Sequence, residues 1–232
     1  MPFYNLHIDS RNRLAPSSLS APSFALSNSV SGVKEVRVKN VQFAHTIYNI
    51  ASNNNVLSTS VGNVILAPQF YTAAAFTTAL NAAFVTAFGP GTYVVFVAAT
   101  NTLNWTLGWP TVSGVSSMSN VLGLSNASTA HTGTFTTTLF LASPLNVSFA
   151  CPQLQSRRNL YTTNSSRSEP FITVPVNVGF LSVLYYEPWR GRVIDFDQGF
   201  ALSTLDFTLF DTASGRVLDE ISHWAMELEL VV

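Results

Sequence analysis

Cysteine is nearly absent: Cys151 is the single one in 232 residues. That excludes an intrachain disulfide and frees the fold from any need for an oxidising compartment. Charge is also scarce, with Asp, Glu, Lys and Arg making up 10% of the chain against about a quarter in ordinary soluble domains. A surface so poor in charge is largely Ser, Thr, Asn and apolar groups, and it protects a lone molecule poorly from association. The composition therefore reads as that of an assembled protein. The net charge of -1, with no basic run longer than Arg157-Arg158, supplies no field to steer nucleic acid, so sequence-specific nucleic acid is not an expected partner. Long apolar runs are missing as well. The longest, Tyr93 to Ala99, is too short to cross a bilayer, and MPFYNLHIDSRNR at the start has no apolar leader region. The expectation is a soluble chain, in the cytosol or built into a particle there.

Catalytic signatures are lacking too. There is no G-x-S-x-G, no G-x-x-x-x-G-K and no H-E-x-x-H. His7, His45, His131 and His223 are scattered without metal-ligand spacing, and His223, just before Trp224, reads as a rim residue. Asp195 and Asp197, two apart, would lie on one side of a strand and could suit Ca²⁺ or a sugar; two solvated carboxylates are the commoner meaning of that pattern. Cys151 reads as a small core residue. Of Trp105, Trp109, Trp189 and Trp224, three sit in or next to apolar strands where burial accounts for them. The N-x-S/T triplets at Asn104, Asn126, Asn146 and Asn164 are as many as this Asn-, Ser- and Thr-rich composition yields by chance. No catalytic, cofactor or metal residue is assigned, and no cofactor is expected.

What is present is hydrophobic patterning, with 47% hydrophobic residues to build a core. The end of the sequence is the most ordered part. Leu205, Phe207 and Leu209 alternate with Asp206, Thr208 and Phe210, D-T-A-S-G at 211 to 215 makes a turn, and Trp224, Met226, Leu228 and Leu230 alternate with Ala225, Glu227 and Glu229. This period of two predicts strands with one face in a core, here a terminal hairpin that leaves no tail. Residues 1 to 32, rich in Ser, Pro and Ala, show no sustained period and read as an extended arm without a core of its own. Val33 to Val41 alternates clearly and continues through Phe43 to Ile50, and Val61 to Leu66 is another short strand. In Tyr71 to Phe88 the period changes: Ala73, Phe76, Leu80, Phe84 and Phe88 recur every three or four residues, Thr72 caps the start and G-P-G follows, so one helix is predicted over 71 to 88. Tyr93 to Ala99, Leu103 to Leu107, Thr134 to Leu141, Asn146 to Ala150, Phe171 to Val176 and Gly179 to Tyr186 read as strands, Ser116 to Leu124 as a short helical turn, and Gln155 to Pro170 as an exposed loop. Nine or ten short strands with one inserted helix predict an all-β sandwich of two antiparallel sheets.

Particular stretches carry a family resemblance. G-F-L-S-V-L-Y-Y-E-P at 179 to 188, L-D-F-T-L-F-D-T-A-S-G-R-V-L-D at 205 to 219 and W-A-M-E-L-E-L at 224 to 230 resemble the end of small capsid proteins of virophages, polinton-like viruses and related large DNA viruses. Y-N-I at 48 to 50, F-Y-T at 70 to 72 with L-N-A-A-F at 80 to 84, and V-L-G-L at 121 to 124 are similar to the same group. The resemblance covers roughly residues 33 to 232. It implies a single jelly roll, since the double-jelly-roll major capsid proteins of those viruses are about twice as long. Among family members it points to the penton, a minor capsid protein whose homopentamers close the icosahedral vertices. Implied with it are partners in self, in major capsid protein trimers around the vertex and in cement proteins or a fibre, a location in the virion, and no enzymatic activity. On this reading 1–32 is the arm and 33–232 one jelly-roll domain. The rival readings are a jelly-roll attachment or carbohydrate-binding spike module, with Asp195, Asp197 and Trp189 lining a sugar site, a minor cement protein of the capsid, and last an enzyme with a sandwich fold.

Overall fold

The structure, a computed structural model, describes residues 2–59, 62–106, 117–124, 134–141, 144–154, 170–189 and 192–232, except the side chains of Arg192 and Asp197. Its secondary structure is thirteen strands and one α-helix among the described residues. They divide between two compact units, residues 1–47 with 144–232 and residues 48–143.

The first unit is a sandwich. Its larger sheet is built on β2 (Ser23–Ala44), whose V-K-E-V-R-V-K-N-V run sends Val33, Val36, Val38, Val41 and Phe43 inward, all almost fully buried. β13 (Trp224–Val231) pairs antiparallel with one side of β2, and β1 (Phe3–Asp9) pairs with β13. The other side of β2 takes β10 (Val183–Tyr186) and β11 (Arg192–Asp206), also antiparallel. The second sheet runs β12 (Thr208–Asp211), β8 (Asn146–Ala150), β9 (Pro170–Pro175). The backbone of residues 20 to 22 lies along β12: Phe207 N–H donates to Pro22 O (2.9 Å) and Leu209 N–H to Ser20 O (2.8 Å). Val147, Phe149, Ile172, Val174 and Leu209 of this sheet enter the same buried cluster as the valines of β2 and Met226, Leu228 and Leu230 of β13.

The order of these segments defines the winding. Taken along the chain, β1, residues 20–22, β2, β8, β9, β10 with β11, β12 and β13 occupy the eight jelly-roll positions, one sheet running first-last-third-sixth and the other second-seventh-fourth-fifth. The expected all-β jelly roll is therefore present, and the helix with it.

Three expectations are corrected. Residues 1 to 32 are not a bare arm: they supply the first two segments of the roll. They carry no sustained apolar period because β1 is an edge strand with only Leu6 and Ile8 turned inward, and residues 20 to 22 are held by backbone bonds rather than by an apolar pattern. Residues 33–232 are not one domain, because 48–143 forms a separate unit inserted between β2 and β8. The terminal hairpin is absent: β12 pairs with β8, and β13 with β1 and β2. The D-T-A-S-G turn does form, with Asp211 accepting from the N–H groups of Ala213 and Ser214 and with Gly215 at φ 67, but beyond it the chain passes to the other sheet. The loop expected at 155 to 170 lies outside the described residues except for Pro170, which opens β9.

The second unit holds the helix α1 (Ala73–Phe88), as the pattern predicted. Thr72 Oγ1 accepts from Ala75 N–H, Gly89 closes the end at φ 100, and Phe76, Leu80 and Phe84 are buried. α1 packs near β4 (Asn63–Ile65), which pairs with β3 (Val56–Ser58), and near β5 (Val94–Val97), which leads a three-stranded antiparallel sheet with β6 (Thr102–Trp105) and β7 (Phe135–Thr138). Asn81 ties helix to sheet: its Nδ2 donates to Val94 O (2.7 Å) and its Oδ1 accepts from Tyr93 N–H (2.8 Å). Trp105 stacks on Phe135 with centroids 5.5 Å apart, inside a core distinct from that of the roll.

Candidate functional site

Alternation on β2 and β13 puts valines and leucines inside the roll and the polar partners outside. Across the pair, Arg37 faces Glu229. Arg37 Nη1 donates to Glu229 Oε1 (3.0 Å), Lys39 Nζ reaches Glu229 Oε2 (3.4 Å), and Arg37 also bonds the Glu35 carboxylate. The Glu35 carboxylate, with Glu229 beside it, raises the pKa of Arg37 further above its already high value. The neighbouring strand β10 adds Val183 and Tyr185, both well exposed. Tyr185 stands opposite Gln42 and Val183 opposite Ala44. The outer face of this sheet is thus a charged strip bordered by apolar and aromatic groups, a mixture suited to protein contacts rather than to chemistry.

A second feature is a cleft of about 630 Å³ lined by Pro170, Phe171, Ile172, Thr173, Tyr186, Pro188 and Trp189, with Trp189 89% exposed. Of the sugar-site residues weighed from sequence, Trp189 lies here. Asp195 does not: it sits on β11 opposite Glu35. The side chain of Asp197 lies outside the described set. Trp105 and Trp224 are buried in their cores, as expected, and Trp109 lies outside the described residues.

The histidines do not converge. His7 Nδ1 is 3.9 Å from Glu227 Oε1, His45 is buried with Nδ1 2.9 Å from Val178 O, and His131 lies outside the described residues. His223 is half-exposed at the start of β13, and there the fold assembles something the sequence hides. Its Nδ1 is 3.0 Å from Ser10 Oγ and 3.7 Å from Asp9 Oδ1. No sequence signal marks a grouping 213 residues apart. Serine, histidine and acid do not make a nucleophile here. Ser10 is 0% exposed, its Oγ accepts from Trp224 N–H (3.0 Å), and the hydroxyl and the carboxylate approach the same ring nitrogen instead of opposite ones. Asp9 is engaged by Arg11, whose Nε lies 3.0 Å from both carboxylate oxygens, and this bonding holds the Asp9 carboxyl at about 2, below its ordinary 3.8. The cluster is a clasp between the end of β1 and the start of β13.

Cys151, directly after β8, is fully buried, and burial pushes its thiol up to about 12. Among the described residues no three His, Cys, Asp or Glu stand together as metal ligands, and no helix is long and apolar enough to cross a membrane.

No protein-family model matches the chain, and no curated protein matches it. Among solved structures it is similar to the mavirus penton protein, at 9% identity and a TM-score of 0.44 over 99% of both chains. It is also similar to a chain in the cryo-electron microscopy structure of the Sputnik virophage, at 12% identity and a TM-score of 0.47 over 99% of this chain and 97% of that one. The jelly-roll assignment rests on the strand order above, not on these likenesses.

Proposed function

We propose that the chain is a structural protein of a viral capsid, and within it the penton whose homopentamers close the five-fold vertices of a virophage-like shell. The observation that carries this reading is where the family-like stretches fall. Residues 179–188 and 205–219 contain β10 and β12, and 224–230 is β13 without its last residue, so the stretches fall on the sixth, seventh and eighth positions of one jelly roll. A fold alone assigns no function; here the resembling residues and the roll coincide, and the low charge of the chain suits a protein that spends its life in contact. A ring of five uses two different side surfaces that close on each other. The outer face of the β2–β13 sheet, with Val183 and Tyr185 beside its ion pairs, supplies one candidate. The remaining partners on this reading are major capsid protein trimers around the vertex, with the virion as location. Native mass spectrometry with negative-stain imaging tests it: rings of five are expected, and a chain that forms only monomers or trimers, alone and with capsid trimers, overturns the vertex role.

The cleft at Trp189 favours one other reading, an attachment module that stacks a sugar ring on the indole. Binding on a glycan array that is lost in Trp189→Ala would support it; silence with and without Ca²⁺ would remove it.

A further inference from the structure

The strand edges of the roll are not treated alike. The second sheet ends on β9, which begins at Pro170 and ends at Pro175, and on residues 20–22, which include Pro22. β11, at one edge of the larger sheet, is broken by three register shifts against β2. Prolines and bulges are ordinary means of keeping an edge from pairing with another chain. β1 and β10 have neither. Their ladders with β13 and β2 are unbroken, and neither Phe3 to Ile8 nor Leu181 to Tyr186 contains Asp, Glu, Lys, Arg or Pro. These two open edges lie at opposite ends of the path β1-β13-β2-β10.

Backbone bonds alternate in direction along an antiparallel strand. Val232 N–H donates to Pro2 O (3.1 Å), so Tyr4, Leu6 and Ile8 bond to β13, and the N–H and C=O groups of Phe3, Asn5 and His7 point away from it. His45 N–H donates to Ser182 O (2.8 Å), so Leu184 and Tyr186 bond to β2, and Val183 and Tyr185 point away. Among the described residues neither outward set meets a strand. Both sets carry their side chains on the outer face of the sheet, since Ile8 and Leu184 beside them are buried inside. Residues that stand opposite in an antiparallel pair must share a face in this way. The two edges also run in opposite senses, because three antiparallel pairings separate them. Rotation about an axis near the strand direction keeps each strand's sense, so β10 of one copy meets β1 of the next antiparallel. A foreign segment could occupy one edge at a time. A second copy satisfies both with a single kind of contact, which is what a closed ring requires.

We propose that β1 of one copy adds to β10 of the next as an antiparallel strand, joining the larger sheets around the ring. The proposal rests on the ring reading above and assigns the two flanks that meet. Phe3 then shares a face with Val183 and Tyr185, all three more than half exposed in the single chain, and aromatic and β-branched neighbours across such a pair are favourable combinations. On the inner face Tyr4, 52% exposed although Ile8 is buried, enters the cleft lined by Tyr186, Pro188 and Trp189.

Proline tests the backbone bonds and spares the fold, because the N–H groups of Asn5 and Val183 point away from the ladders within the chain. Asn5→Pro and Val183→Pro are compared with Asn5→Ala, Val183→Ala and wild type in the full-length chain. Sedimentation velocity and native mass spectrometry read assembly, and circular dichroism confirms folding. Each proline variant is expected to need about tenfold more protein to form the ring, the loss of one hydrogen bond per contact, and each alanine variant no more than about threefold. Asn5→Cys combined with Val183→Cys or with Tyr185→Cys should, in at least one of the two pairs, give a covalent ladder ending at five copies on mild oxidation, to which the buried Cys151 adds nothing. If folded proline variants assemble at the wild-type concentration, the strand contact is wrong while the ring stands. The same follows if they keep the ring and lose only binding to capsid trimers, which would give the edge to another protein. A wild-type chain that forms no ring, alone or with capsid trimers, overturns both. If the proline variants misfold, the cysteine pairs decide: rings without any ladder overturn the strand contact.

Discussion

Phe149 of β8 and Trp224 of β13 meet edge to face across the roll, their centroids 5.3 Å apart and their planes at 76°. One residue comes from each sheet, and both are completely buried. Phe207 and Phe24 also touch the indole, and its Nε1–H donates to Leu19 O (3.1 Å). Trp224 is therefore the point at which both sheets and the early segment around residue 20 are joined. Trp224→Ala should destabilise the chain by about 3–5 kcal/mol, the range for deleting a large aromatic from a core. Chemical denaturation followed by far-UV circular dichroism measures it, and a loss below about 1 kcal/mol would contradict the assignment.

Gly123 predicts a second large effect in the inserted unit. It lies at φ +63, and a Cβ built there would stand 2.3 Å from the carbonyl oxygen of Thr138 in β7. The obstacle is backbone, not the movable end of a side chain. Gly123→Ala should cost about 3 kcal/mol, combining left-handed strain with the displacement of residues 117–124 from β7. Thermal melting compared with Gly62→Ala, a site with open space around it, separates the clash from a general loss of glycine.

Asp9 gives a pH dependence with a definite sign. Hydrogen bonding to Arg11 lowers its folded pKa to about 2 from 3.8. The stabilisation is thus complete above about pH 4 and is lost as the pH falls through 2. Asp9→Asn should be less stable than wild type at pH 7, by a gap that stays level down to about pH 4 and shrinks from there toward pH 2. Denaturant midpoints at a series of pH values read this directly; a gap that does not change with pH would show that the carboxylate charge is not involved.

Cys151 should be silent in the native state. With its thiol fully buried and pushed up to about 12, almost none is thiolate near neutral pH. A thiol reagent at pH 8 should label less than a tenth of the native protein in the time that labels all of it in denaturant. Rapid native labelling would mean that the end of β8 opens frequently.

The sequence is most legible where a signal is local. α1 could be bounded at both ends because Thr72, the apolar period and Gly89 lie within one short stretch, and β8 follows from the run Asn146–Ala150. The buried face of β13 was equally plain, since Trp224, Met226, Leu228 and Leu230 alternate without a break. Alternation states which side of a strand is inside but is silent on its neighbour. For that reason Trp224–Val231 read as half of a hairpin, although its partners are residues 3–9 and 35–43. The clasp of Ser10, Asp9 and His223 was illegible on the same ground, because only the pairing of β1 with β13 brings residues from opposite ends together. The separateness of 48–143 leaves no mark in the hydrophobic pattern for a different cause: its apolar content resembles that of the roll, and what distinguishes it is the run without charge.

β13 lies between β1 and β2, so a strand inside the larger sheet is synthesised after both of its neighbours. A ribosome releases β1 and β2 long before the segment that must sit between them, and until then their facing edges have no partner. The inserted unit makes its sheets and helix from residues 56 to 138, and it can fold while the remainder is still being translated. Closure of the roll is in this sense a late event, timed by the appearance of β13. A truncation that removes only β13 would leave a folded insertion attached to an unclosed roll.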